Sequence, residues 1–292
     1  PPPFGTPTGL AATALSGNTV RVTWRAVTGA SGYVVQRTAG TVTARAGTPT
    51  DAALDDAGLL PGTTYEYRVA AVRGADTTAF SAPAPVTTRA IGAAQAVLRG
   101  DLTASRTLTA DTQYVLSGFV KVRPGATLTI LPGTRLVGDS AVRGSALVVT
   151  RGARIDARGT ASFPIVFTSQ RAPGSRAAGD WGGVILVGAA PTSRAAAAAQ
   201  TVGITGSATQ GPESYGGGSS PNDDSGILRY VRVEFAGATV PQGVDQEPTQ
   251  LAGFLFYAVG RGTTLEYLQS VSSLGDGFQW FGGTVDARYL VS

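Results

Sequence analysis

The side chains in this sequence that could move a proton or hold a cation are few. The candidates among the carboxylates are Asp223, Asp224, Asp245, Glu247 and Asp276, mostly in loops of the C-terminal half. Histidine and cysteine are absent, and Lys121 is the single lysine. This removes the usual general base at neutral pH, the Ser-His and Cys-His nucleophile pairs, disulfides and every cysteine-bearing zinc site. Catalysis would have to rest on carboxylates, Arg, Tyr or Lys121. Asn222-Asp223-Asp224 could supply oxygen ligands to Ca²⁺, because hard cations take carboxylates and amides from tight loops. The same three residues also suit a solvated turn, and no other cofactor is expected. Tyr215, Trp280 and Tyr257 are candidate contacts for a glycan or a protein partner. Alternation along Phe254-Leu255-Phe256-Tyr257 and Phe278-Gln279-Trp280-Phe281 turns about half of those side chains inward. Gly216-Gly217-Gly218 has no following Lys-Ser and no helix, so it is no phosphate cradle.

The elements that must position these residues are strands. Hydrophobic residues make up 42% of 292 and charged residues 14%, with 40 Gly and 17 Pro, a balance that favours short strands and many turns. The length suits two cores. A net charge of +4 hints at nucleic acid, but the arginines are scattered and form no basic stripe, so no nucleic-acid partner is expected. No apolar run is long enough for a membrane span. The chain starts at Pro1, and residues 1–8 read as an extended leader following a removed signal peptide or an internal start.

Residues 9–90 read as one domain of short strands. Val20, Val22 and Trp24 alternate with Arg21, Thr23 and Arg25, the period of half-buried strands. Leu60-Pro61-Gly62-Thr63-Thr64-Tyr65 ends in an aromatic whose hydroxyl can bond back to the corner backbone, as in Greek-key sandwiches. With Trp24, Tyr33 and the closing Phe80-Ser81-Ala82-Pro83, the stretch resembles a fibronectin type III domain. The resemblance implies a core Trp24, a clamping Tyr65 and a spacer or docking role. Arg73-Gly74-Ala75-Asp76 carries an extra Ala, which breaks the integrin-binding motif of some members.

Residues 97–292 carry a different pattern. Leu128-Thr129-Ile130, Leu147-Val148-Val149, Ile165-Val166-Phe167 and Ile185-Leu186-Val187 follow one another at a near-constant step of roughly 20 residues, and such a step marks a solenoid. The runs 125–134, 152–160, 164–169 and 179–184, with 225–237 and 278–285, resemble a right-handed parallel β-helix of the exported bacterial surface protein and lipoprotein type. Such proteins imply an extracellular or cell-surface location more than an activity. A loop insertion is expected at about 190–226, with the alanines at 195–199 forming a helical turn. The final residues read as a strand in progress, so the solenoid is expected to be incomplete at the C-terminus, continuing past residue 292 or covered by another subunit.

Parallel β-helices include pectate lyases and polygalacturonases. Such enzymes need an Asp-rich calcium cluster or closely paired carboxylates, and the five acids here are scattered among loops. The expectation is an all-β, non-enzymatic structural or adhesion protein. Its solenoid would serve as a rigid scaffold with a lateral binding or assembly face, as in a surface layer or an extracellular filament. Its partners would be further copies of itself, other cell-surface proteins or a polysaccharide. The competing expectation is a polysaccharide-active enzyme with its site in rungs beyond residue 292.

Overall fold

The computed structural model describes residues 4–192, 216–240 and 249–292. The chain divides into two compact units, one of Pro1–Ala93 with Thr109–Asp111, the other of Ala94–Leu108 with Thr112–Ser292. Strands dominate both, and no helix among the described residues is long and apolar enough to cross a membrane.

The first unit holds β1 (Ala11–Ala14), β2 (Thr19–Thr23), β3 (Gly32–Ala39), β4 (Val42–Gly47), β5 (Ala53–Ala57), β6 (Thr64–Arg73), β7 (Asp76–Thr77) and β8 (Ala84–Thr87). One antiparallel sheet runs β1-β2-β5 and the other β4-β3-β6-β7, with β8 also on β6. Between the sheets lie Val20, Val22, Trp24, Val35, Tyr67 and Val69, the inward half of each alternating strand. Trp24 meets Tyr33 edge to face with ring centroids 5.1 Å apart. The Tyr65 hydroxyl accepts the Leu60 N–H at 3.0 Å, which is the corner clamp expected of that tyrosine. A buried polar group crosses the core edge, where Asp56 takes the Tyr67 hydroxyl at 2.8 Å and Arg37 at 2.6 Å. Burial and the Asp56 carboxylate push the Tyr67 phenol far above its ordinary range. Arg73 and Asp76 face each other across a tight hairpin.

The second unit is a stack of coils, and its strand pairing sorts into three parallel columns. The strands are β9 (Ala94–Leu102), β10 (Arg106–Leu108), β11 (Thr112–Val122), β12 (Thr127–Ile130), β13 (Arg135–Gly138), β14 (Ala146–Val149), β15 (Arg154–Arg158), β16 (Ile165–Ser169) and β17 (Gly183–Val187). They continue as β18 (Gly226–Glu234), the short antiparallel pair β19 (Thr239–Val240) and β20 (Thr249–Gln250), then β21 (Phe254–Tyr257), β22 (Thr264–Val271), β23 (Phe278–Phe281) and β24 (Ala287–Val291). The first column pairs β10, β12, β15 and the leading halves of β18, β22 and β24. The second pairs the leading halves of β9 and β11 with β13, β16 and the trailing halves of β18, β22 and β24. The third pairs the trailing half of β11 with β14, β17, β21 and β23.

This sorting corrects the repeat read from sequence. Leu128 lies in the first column, Ile165 in the second, and Leu147 and Ile185 in the third. The near-constant step between those triplets is therefore no coil of the helix; it skips β13 and then β15 before falling on the adjacent pair β16 and β17. One full coil runs instead from Leu268 to Leu290, or from Gln113 to Arg135, the residues that register places directly above one another. Longer turns between faces lengthen the coil elsewhere.

Each coil is too thin to bury its own apolar side, and vertical ladders of like residues supply the core. Val120, Leu147, Val184, Phe254 and Phe278 form one such ladder by register. Phe167 and Trp181 stack almost parallel at 6.3 Å inside the helix. Trp181 is fully buried, and its indole N–H donates to the Glu234 carbonyl at 2.8 Å, so this is the core wedge expected from Asp180-Trp181-Gly182-Gly183. Gly138 makes room for it, since a Cβ there would sit 2.3 Å from the Trp181 Cβ.

The third column is buried on both sides. Val148, Ile185, Leu255 and Tyr257 point away from the central core, yet belong to a second apolar cluster closed by Val240, Leu251 and Ala252. Those last residues come from the excursion around β19 and β20, so the outer side of this column is an interior. Its strands accordingly read as continuous apolar runs, as doubly covered parallel strands do.

Candidate functional site

The residues singled out for metal binding sit on a turn ahead of β18, and their carboxylates already have partners. Asp224 pairs with Arg154 and accepts the Gly226 N–H at 2.8 Å, which makes it a turn former at the mouth of the strand. Asp223 faces Ser225 at 3.4 Å and takes a backbone bond from Ala189. Burial raises its carboxyl above the ordinary value, a rise those two bonds oppose. Asn222 is exposed beside them. Among the described residues no group of three or more acidic side chains is arranged to hold a metal ion. Asp245 and Glu247 lie outside the described residues, and Asp276 is exposed in the turn between β22 and β23.

The aromatic candidates are not brought together as a platform. Tyr257 is 4% exposed and stacks on Phe281 at 4.5 Å within the outer apolar cluster. It offers no face to a sugar, which corrects its assignment as a contact residue. The cause is the excursion that covers the third column. Trp280 is 41% exposed, but it takes an inner position of the same column, against Phe256 at 5.5 Å and Phe278 at 5.9 Å. Tyr215 and the alanines at 195–199 lie outside the described residues.

A different aromatic array occupies the corner between the first and second columns. Tyr230, Tyr267 and Tyr289 each adopt a positive φ, of 49°, 54° and 57°. A left-handed conformation costs a bulky residue roughly 1–2 kcal/mol, and here it bends one continuous strand from one face to the next. The three rings stack at 4.4 Å in successive coils, and each stacked pair returns about 0.5–1.5 kcal/mol. Tyr289 is 61% exposed. The Arg229 guanidinium lies over Tyr230 and Tyr267 at 5.7 and 5.6 Å. Arg158, Arg229, Glu266 and Arg288 follow one another in register beside the ladder. Little in the sequence announces this array, because the tyrosines stand at unequal intervals along the chain and only the corner geometry aligns them.

A second feature lies between the second and third columns. Turns from three successive coils wall a cavity of about 240 Å³ lined by Ser140, Arg143, Arg171, Asp180 and Thr239, among others. Asp180 is held inside by Arg171 at 3.1 Å, the Ser169 hydroxyl at 2.6 Å and the Ala177 N–H at 3.0 Å. On the outer side of the second column, burial holds Arg135 below its ordinary value, helped by the guanidiniums of Arg176 and Arg232 and opposed by Glu234.

A family model described as a pectate-lyase like β-helix domain matches residues 100–292, well over half of the chain. The chain belongs to this family. Residues 5–87 match the fibronectin type III domain. A curated relative from Ralstonia pickettii, a poly(3-hydroxybutyrate) depolymerase, is 47% identical over 66 residues, 23% of this chain. The chain spans only 13% of that relative's length. Among solved structures, an Fn3-like protein from Clostridium thermocellum is 37% identical with a TM-score of 0.27, over 29% of this chain and 93% of its own. Titin kinase with its flanking domains matches at 23% identity and a TM-score of 0.27, over 28% of this chain and 16% of its own. Asp156, Asp224, Glu234 and Glu266 each pair with an arginine.

Proposed function

We propose that the chain is an exported, extracellular or cell-surface protein with a structural or adhesive role and no catalytic one. Its β-helix serves as a rigid scaffold that offers a lateral face to further copies or to other cell-surface proteins, as in a surface layer or filament. The fibronectin type III domain serves as a spacer. The observation that carries this reading is the stacked ladder of Tyr230, Tyr267 and Tyr289 with Arg229 across it. Tyr and Arg are the side chains that protein interfaces most enrich, because they bring large contact area and polar bonds together. The arginine pairing of Asp156, Asp224, Glu234 and Glu266 supports the same reading, since those acids are committed to structural charge pairs.

A second reading, a polymer-cleaving enzyme, draws on the family's pectate-lyase-like description and on the depolymerase name of the relative. Two assays on the same protein separate them. Sedimentation velocity over a concentration series is expected to show assembly that Tyr267→Ser weakens. Incubation with an acidic polysaccharide and Ca²⁺, followed by the absorbance of unsaturated products, is expected to show no turnover, as is incubation with poly(3-hydroxybutyrate). A protein that stays monomeric at every concentration speaks against self-assembly. Turnover that disappears in Asp223→Ala or Asp276→Ala overturns the non-catalytic reading.

A further inference from the structure

Arg135, on the outer side of the second column, lies within electrostatic reach of Arg176, Arg232 and the carboxylate of Glu234. Register places Arg135 of β13 and Arg232 of β18 on either side of Val166 of β16. Their Cα atoms are thus two strand spacings apart, about 9.6 Å, within reach of one shared ligand for side chains of this length. Arg176, half-buried on the loop after β16, interacts electrostatically with Arg135. Its Nε donates to the Arg171 carbonyl at 3.0 Å, a bond that anchors the side chain by one of its five N–H donors. The Arg135 side chain makes no hydrogen bond or ion pair among the described residues.

Two polar atoms here lack the bonds that burial demands. Arg232 Nε comes within 2.7 Å of Glu234 Oε1, but its N–H is off the direction of the carboxylate and makes no hydrogen bond. Thr168 is fully buried, on the same outer side of β16 as Val166, and its hydroxyl has no partner. Three guanidiniums against Glu234 leave an excess of two positive charges on partly buried groups, a repulsive arrangement unless an anion joins it.

We propose that Arg135, Arg176 and Arg232 form a binding site for a dianionic phosphomonoester group. Guanidinium forks match phosphate oxygens in geometry as well as charge. A phosphomonoester carries about −1.5 to −2 at neutral pH, which balances the excess, whereas a carboxylate or a sulfate ester carries a single charge and would leave half of it unmet. Glu234 already fills the place a carboxylate ligand would take.

Methyl phosphate and methyl sulfate have the same shape and differ in charge, so they test the proposal directly. Isothermal titration of the full chain above neutral pH, at matched ionic strength, is expected to show methyl phosphate binding at least about tenfold more tightly than methyl sulfate. Arg135→Gln and Arg176→Gln are each expected to weaken methyl phosphate by roughly tenfold or more without lowering the melting temperature, because each relieves like-charge crowding. Arg158→Gln, which alters an exposed pair with Asp156 in the first column, should bind like the parent. Absence of binding, equal affinity for the two esters, or unchanged affinity in both Arg135→Gln and Arg176→Gln overturns the proposal. So does an equal loss in Arg158→Gln.

Discussion

Trp181→Ala is expected to lower the stability of the β-helix by about 3–5 kcal/mol, the usual cost of emptying a large buried aromatic site. Three separate losses add up at this position. The indole leaves a void against Phe167, whose ring it parallels at 6.3 Å. The Glu234 carbonyl loses the indole N–H donor at 2.8 Å. Gly138, left open to receive the indole, then borders empty space that a backbone stacked above and below cannot close. Urea denaturation checks the expectation, with Trp24 in the fibronectin type III domain as an internal reference. That domain's transition should stay in place while the β-helix transition moves to lower urea. Trp181→Phe should restore part of the loss but not the hydrogen bond. An unchanged midpoint in Trp181→Ala would mean that Trp181 is not a core residue.

Gly226→Ala is expected to cost on the order of 3 kcal/mol or more, among the largest effects of a single methyl group. Gly226 opens β18 at φ +113°, and a Cβ there would lie 1.8 Å from the carbonyl oxygen of Ile155 in the coil below. The obstacle is backbone on backbone, so no side chain can swing aside. The position is pinned as well by the bond from the Gly226 N–H to Asp224 and by the bond from the Ile155 N–H to the Ser225 carbonyl at 3.0 Å. Gly174 makes the comparison clean. It also has a positive φ, +87°, but nothing lies within 4 Å of its would-be Cβ, so Gly174→Ala should cost only the conformational penalty of about 1 kcal/mol. Thermal or urea unfolding of the two variants separates steric conflict from backbone preference. Equal costs would contradict the close approach of the two coils.

Much of the architecture was legible in the residues because local signals and global fold agree there. Trp24, Tyr33 and Tyr65 announce a sandwich through their order and the turn before Tyr65, and all three take the expected places. The apolar triplets from Leu128 to Val187 announce stacked strands. Their spacing misled because one coil contains three strands and turns of unequal length, so equal steps along the chain fall on different faces. Tyr257 shows a second limit. Alternation correctly separates it from Phe254 and Phe256, but cannot say that the outward side is itself covered by residues near Val240 and Leu251. Arg135 and Arg232 show a third, since only the register that skips across Val166 makes neighbours of two residues so distant along the chain. The tyrosine ladder depends on three corner residues that share a backbone conformation, a property that no spacing rule encodes.

Parallel register in the first column is the claim on which the scaffold and its corner ladder rest. The chain has no cysteine, so engineered pairs report without background. Asp156 faces Ile227 and Arg158 faces Arg229 across neighbouring coils. In-register partners lie about 4.8 Å apart, within the roughly 4.4–6.8 Å that a disulfide spans between Cα atoms. Mild oxidation is expected to link Asp156→Cys with Ile227→Cys, and Arg158→Cys with Arg229→Cys. The crossed pairs, Asp156→Cys with Arg229→Cys and Arg158→Cys with Ile227→Cys, should stay reduced. Linkage of the crossed pairs instead would mean that the strands run antiparallel, and the coil would be wrong.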